Sequence, residues 1–129
     1  LTDCMPIVMV VGGSSGARAI NQAVVAALPE ITENFQVLHL CGKGNLSAAL
    51  EGMPRYVQCE YLNEEMADAY ACADILISRA GANALCEILA LKKPSLLIPY
   101  PRLSACTTIA ARCSTRWLPT RRGRTAWSA

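Results

Sequence analysis

Two glycine-bearing loops hold the residues best suited to chemistry on an anion. The first, Gly12-Gly13-Ser14-Ser15-Gly16-Ala17, follows the apolar run Ile7-Val8-Met9-Val10-Val11 and precedes a stretch of helical periodicity. Glycines there let the backbone approach a ligand closely. The amides that open the next helix favour a negative group by about 0.3–1 kcal/mol. The spacing is GGxxG rather than GxGxxG, and no Lys-Ser/Thr pair follows, so a nucleotide dehydrogenase and a P-loop ATPase are both disfavoured. A tight turn that needs glycine only for its backbone geometry would read the same way.

The second loop, Ser78-Arg79-Ala80-Gly81, opens the stretch Ala82-Asn83-Ala84-Leu85-Cys86-Glu87. Glu87 falls about one and a half turns into an otherwise apolar helix, where a carboxylate needs a partner. Two vicinal ribose hydroxyls could both donate to it, each charged hydrogen bond contributing about 1.5–3 kcal/mol. A solvated helix face, or an ion pair with Arg79, accounts for the spacing equally well.

Other reactive side chains carry less. His39 is the single histidine and lies in the run Val37-Leu38-His39-Leu40, which makes it a strand residue rather than a metal ligand. The seven cysteines form no CxxC pair and are odd in number, so they read as reduced thiols. Cys41, Cys59, Cys72 and Cys86 sit in apolar segments, where a free cysteine behaves as a small hydrophobe.

The elements that must position these loops alternate along the chain. Strands are expected over 6–11, 36–41, 56–59, 74–78 and 95–98. Helices are expected over 17–28, ended by Pro29, over 46–50, after Asn63 as a cap with Glu64 and Glu65 in the first turn, and over 82–91. Met66, Ala69, Tyr70 and Ala73 form the inner stripe of the third helix, and Leu85, Ile88 and Leu89 that of the fourth. Five strands with intervening helices predict a parallel α/β sheet of Rossmann type, with ligands beyond the carboxyl ends of the strands. The composition agrees: 53% of residues are hydrophobic and only 5% aromatic, as in helices packed on a buried parallel sheet.

At 129 residues the chain fits one domain. No stretch approaches the roughly 20 apolar residues of a membrane span, and the start lacks a signal peptide, so an intracellular protein is expected. Leu1 in place of an initiator Met suggests a chain that begins inside a longer reading frame. Charge divides the molecule: all ten acids lie before Pro101, whereas everything from Arg102 onward is acid-free and carries six arginines. The body therefore offers no broad basic face for nucleic acid.

Taken together, several motifs resemble the C-terminal domain of the MurG family of UDP-N-acetylglucosamine transferases, over about the first hundred residues and in the family's order. They are Val10-Val11-Gly12-Gly13-Ser14-Ser15-Gly16-Ala17-Arg18 with Asn21, Met66-Ala67-Asp68-Ala69-Tyr70 before Ala73-Asp74, Ser78-Arg79-Ala80-Gly81 with Glu87, Lys93-Pro94, and Ile98-Pro99-Tyr100-Pro101. The resemblance implies the C-terminal half of a GT-B fold. It also implies a donor site for UDP-N-acetylglucosamine and transfer to the lipid-linked acceptor lipid I, yielding lipid II for peptidoglycan. By the same resemblance Gly13, Ser14, Ser15 and Gly16 form the diphosphate loop, with Ser15 where many members carry Gln. Glu87 is the ribose-binding carboxylate, Leu62 lies near the position whose backbone reads the uracil edge, and Arg79 and Gly81 line the pocket. No cofactor or metal is implied, because amides and helix ends stabilise the leaving diphosphate. The catalytic base, the acceptor and the peripheral contact with the cytoplasmic face of the inner membrane belong to an N-terminal domain that this sequence lacks.

The family continues past the Pro-Tyr-Pro stretch with a loop of the type D/H-x-Q-x-x-N-A, whose glutamines hold the sugar. This sequence has no Gln after Gln58 and no Asn after Asn83. Residues 1–101 thus read as the donor-binding domain and 102–129 as a basic, irregular tail translated in a shifted frame. The functional alternative for the tail is a basic arm for anionic lipid or nucleic acid, helped by Trp117 and Trp127. For the whole chain the alternatives are the donor domain of another lipid-acceptor glycosyltransferase, or a non-catalytic nucleotide-binding or interaction module.

Overall fold

The computed structural model describes residues 5–12, 17–79 and 81–98. The tail over 102–129 and the expected boundary at 101 lie outside them, as do Gly13, Ser14, Ser15 and Gly16. Five strands form one sheet: β1 (Ile7–Val11), β2 (Gln36–Leu40), β3 (Tyr56–Cys59), β4 (Ile75–Arg79) and β5 (Ser95–Ile98). Every pairing is parallel and the spatial order is β3-β2-β1-β4-β5. Three helices flank it: α1 (Arg18–Asn34), α2 (Met66–Cys72) and α3 (Ala82–Leu91).

The continuous apolar runs of the inner strands follow from burial on both faces. On one face Val8, Val10, Val37 and Tyr56 pack with Ala17 and with Ile20, Val24 and Leu28, which recur every fourth residue along α1. On the other, Ile7, Met9, Leu38, Leu40 and Leu76 pack with Ala69, Tyr70 and Ala73 from α2 and its C-terminus and with Ile88 of α3. Asp74 ties the N-terminal ends of β1 and β4 together, its carboxylate accepting from the Ile7 amide at 2.9 Å and its own amide donating to the Ile7 carbonyl at 2.8 Å.

Several local expectations are corrected. Pro29 does not end α1 but lies inside it. Val25, whose carbonyl loses its amide donor, is exposed along with Pro29, so water can replace that bond. Beyond it Ile31 and Phe35 pack on the same cluster as Leu28, and the Thr32 hydroxyl donates to the Leu28 carbonyl at 2.7 Å. Fully burying a side chain of this size contributes about 1.5–3 kcal/mol. Ile31 and Phe35 are half-buried, and together they offset much of the roughly 3 kcal/mol an interior proline costs.

The helix expected over 46–50 shrinks to a 3-10 turn at Ala48–Leu50. Left-handed glycines bound it on both sides, Gly44 at φ 73° and Gly52 at φ 75°. The Gln58 side chain then brackets Ser47, accepting from its amide at 3.0 Å and donating to its carbonyl at 2.7 Å.

α2 starts later than expected. Asn63 supplies a backbone carbonyl to the Met66 amide at 3.2 Å instead of a side-chain cap, and Glu65 takes the capping position. At the other end of α2, the Lys93 ammonium donates to the carbonyls of Ala71 at 3.0 Å and Ala73 at 2.6 Å.

Leu89, expected inward, is 49% exposed, because α3 presents only Ile88 fully to the sheet. Of the cysteines read as small core hydrophobes, Cys41 is buried and Cys59 half-buried, but Cys72 and Cys86 are exposed on the outer sides of α2 and α3. No helix among the described residues is long and apolar enough to cross a membrane.

Candidate functional site

The sheet reverses its order between β1 and β4, which lie side by side with Val11 in register with Ser78. In such sheets the crevice outside the carboxyl ends of the strands at the reversal is where ligands bind. Both glycine-bearing loops leave from that point. Gly12 after β1 is buried, and Ser78 at the end of β4 is 3% exposed with its hydroxyl donating to the Arg79 carbonyl at 3.2 Å.

Each loop delivers the chain to a helix whose capping residue makes no side-chain hydrogen bond to the first amides. α1 has Ala17 in the capping position, extended and without a side-chain cap, and its first helical bond runs from the Asn21 amide to the Ala17 carbonyl at 2.8 Å. The amides of Arg18, Ala19 and Ile20 therefore have no intrahelical acceptor. α3 repeats the arrangement: Gly81 caps it with no side chain, the first bond is Leu85 amide to Gly81 carbonyl at 2.9 Å, and Ala82, Asn83 and Ala84 are left over. Neither helix has an acid in its first turn, whereas α2 has Asp68. Two positive helix ends thus open from neighbouring strands, each equivalent to about half an elementary charge.

Gly81 is exposed, and a Cβ built on it would meet nothing within 4 Å. Its φ of −79° and ψ of 148° suit any residue, so the fold does not require glycine there. Arg79 ends β4 in register with Ile98 and is half-buried. The β1–β4 pairing brings Gly12, Arg79 and Gly81 to one rim.

Leu62 and Glu87 belong to the side of the sheet covered by α2 and α3. Leu62 is half-buried and packs on the cluster beside Met66. Glu87 is exposed, and its Oε2 accepts a hydrogen bond from the Tyr70 hydroxyl at 2.8 Å. Tyr70 itself is 8% exposed, and burial together with the adjoining carboxylate pushes its hydroxyl up to about 12. In the sequence Tyr70 belongs to a core stripe and to a family motif, and neither pairs it with Glu87. Its partner lies 17 residues away on another helix, beyond the reach of a periodicity argument.

A second network was not foreseen at all. The Asn21 amide nitrogen donates to the Cys41 carbonyl at 2.8 Å, which fixes the side-chain oxygen toward His39. That oxygen accepts from His39 Nε2–H at 3.0 Å, leaving Nδ1 to accept from the Tyr56 hydroxyl at 2.9 Å. His39 is 1% exposed, and burial holds its pKa down at about 4, so it is neutral with both nitrogens engaged. It ties the first turn of α1 to β2 and β3. Glu60 is engaged as well, accepting from the Gly44 amide at 2.8 Å. Among the described residues no group of three or more His, Cys, Asp or Glu could hold a metal ion.

Comparison with known proteins places this arrangement among relatives. The family model for the glycosyltransferase family 28 C-terminal domain matches residues 7–105. A protein of Lachnospira eligens is 61% identical over 98 residues, covering 76% of this chain and 28% of the relative. It is named UDP-N-acetylglucosamine--N-acetylmuramyl-(pentapeptide) pyrophosphoryl-undecaprenol N-acetylglucosamine transferase. Proteins of the same name from Legionella pneumophila and Geobacillus thermodenitrificans are 56% identical over 94 residues and 48% identical over 100. They are covered over 26% and 28% of their length, and this chain over 73% and 78%. The chain therefore spans little more than a quarter of these relatives. A crystal structure of Acinetobacter baumannii MurG superposes with a TM-score of 0.70 at 30% identity, over 87% of this chain and 34% of that one.

Proposed function

The chain belongs to the glycosyltransferase family 28 C-terminal domain family, and on that premise we propose that it is the donor-binding domain of a transferase that moves N-acetylglucosamine from UDP-N-acetylglucosamine to lipid I. The observation that carries this reading is the pair of uncapped helix N-termini on the adjacent strands β1 and β4. A diphosphate spans two anionic groups, and two helix ends opening from one crevice match it. By family resemblance Gly13, Ser14, Ser15 and Gly16 bind the diphosphate. Arg79 and Gly81 line the pocket, Glu87 takes the ribose hydroxyls, and the Leu62 backbone reads the uracil edge.

In the transfer step the acceptor hydroxyl bonds to the anomeric carbon while the bond from that carbon to the diphosphate oxygen breaks, and UDP leaves. The helix ends offset the charge that develops on the departing diphosphate. The proton passes to a base on an N-terminal domain, which also carries the acceptor and touches the cytoplasmic face of the inner membrane. Within this chain His39 is no candidate for that base, since its ring is buried and doubly hydrogen-bonded.

Titration with UDP, uridine and ADP tests the donor site. UDP should bind, and Glu87→Gln should weaken UDP and uridine alike, by about 1–3 kcal/mol, because the lost contact is to the ribose they share. Preference for ADP would refute the uridine site and favour a different nucleotide-binding module. Incubated with UDP-N-acetylglucosamine and lipid I, the 129-residue chain alone should transfer nothing, since one domain cannot align both substrates. Turnover by the chain alone would overturn that division of labour.

A further inference from the structure

We propose that Tyr70 is the positioning residue for the nucleoside site, holding the Glu87 carboxylate in the orientation that accepts a ribose cis-diol. The inference rests on the donor-site reading above and adds a residue to it.

The argument starts from the freedom of the glutamate. Glu87 is exposed on α3, and a glutamate there has three rotatable bonds and many rotamers to lose on binding a ligand. Its single hydrogen-bond partner among the described residues is the Tyr70 hydroxyl, at 2.8 Å. Tyr70 can fix it because the phenol is itself fixed: the residue is 8% exposed and belongs to the cluster with Ala69, Ala73, Leu76 and Ile88. The hydroxyl stays protonated across the physiological range, and it donates to Oε2.

One lone pair of Oε2 is thereby used. Oε1 and the remaining lone pair of Oε2 are left for two donors side by side, which is what vicinal hydroxyls present. A carboxylate already held in its binding rotamer loses less freedom when the ligand arrives. A hydrogen bond that only stapled α2 to α3 would leave ligand selectivity untouched, and the two roles separate on that ground.

The test compares UDP with 2′,3′-dideoxy-UDP by calorimetry on the full chain, in the parent, Tyr70→Phe, Glu87→Gln and the double variant. Tyr70→Phe should lower UDP affinity by about five- to tenfold, the coupling expected of adjoining hydrogen-bonded residues. It should leave dideoxy-UDP affinity unchanged and have no further effect in the Glu87→Gln background. A partly unfolded variant would instead show reduced binding stoichiometry for both ligands, and thermal unfolding of each variant registers it independently. Equal loss for both ligands, or no loss for UDP, overturns the positioning role. If Glu87→Gln changes the ratio of the two affinities and Tyr70→Phe does not, this inference alone falls. If Glu87→Gln leaves the ratio unchanged, the ribose reading falls and this inference with it.

Discussion

Acid should destabilise this domain through one histidine. His39 is 1% exposed and neutral, with Nδ1 accepting from Tyr56 and Nε2–H donating to Asn21. Burial lowers its pKa from 6.5 to about 4. A depressed folded-state pKa means that the unfolded chain takes up the proton first as the pH falls. The associated stability is complete above about pH 6.5 and disappears as the pH drops through about 4. At 1.36 kcal/mol per unit, the shift corresponds to about 3 kcal/mol, a large share of the roughly 5–15 kcal/mol by which a domain is usually stable. Two ionisable neighbours, the Tyr56 hydroxyl and the Cys41 thiol, are both pushed up by burial, so neither supplies a negative charge to offset an imidazolium.

The measurement is urea unfolding of the parent chain and of His39→Gln at pH 7, 6, 5 and 4, followed by circular dichroism. Carboxylates titrate in both proteins, so the difference between them isolates the histidine. The parent should be the more stable at pH 7, and its advantage should shrink by about 3 kcal/mol on going to pH 4. An advantage constant with pH would refute the linkage. So would a nitrogen-15 titration of the folded protein that placed His39 near 6.5, whereas the Nδ1–H tautomer would instead reverse the hydrogen-bond directions assigned to Asn21 and Tyr56.

Gly81→Ala should leave stability unchanged or raise it by about 0.5 kcal/mol, since the added methyl meets nothing and the backbone already suits alanine. The same methyl should weaken UDP binding about tenfold by holding the diphosphate off the α3 amides; unchanged affinity by calorimetry would remove Gly81 from the site. Pro29→Ala should stabilise the domain by about 1–3 kcal/mol in urea unfolding by restoring an interior helix bond, and a loss of stability would mean that the ring contributes more by packing than the missing bond costs. Alkylation of the native protein, read by peptide mass spectrometry, should label Cys72 and Cys86 quickly and Cys41 only on unfolding; early labelling of Cys41 would contradict its burial.

Much of the fold was legible because parallel strands buried on both faces leave continuous apolar runs, as in Ile7-Val8-Met9-Val10-Val11, and because α1 repeats its apolar contacts every fourth residue. Tertiary packing overrides local breaker signals at several positions. Pro29 is a stop signal in the sequence, but packing of the half-buried Ile31 and Phe35 outweighs one missing hydrogen bond on an exposed face. Helical spacing points Leu89 inward and the apolar segment does the same for Cys86, yet both are exposed because Ile88 alone is fully buried on this helix. Spatial strand order has no periodic signature in the chain. The β1–β4 adjacency that brings the two loops together therefore came only from the structure.

The site was legible where chemistry conflicts with local structure and hidden where it agrees. Glu87 stood out because a charge in an apolar helix is anomalous, whereas Tyr70, His39, Tyr56 and Asn21 satisfy the rules for core residues and carry their polar contacts across 17 or 18 positions of sequence. The bare helix starts are conflicts of the first kind. A capping side chain is typically worth about 1 kcal/mol, and both α1 and α3 do without one at the crevice where the sheet reverses. A diphosphate would supply to those amides the acceptors the protein withholds, and an anion bound only by the folded state would raise stability with its concentration by mass action. The same bare ends that lower the stability of the empty domain are thus what would let a donor nucleotide restore it.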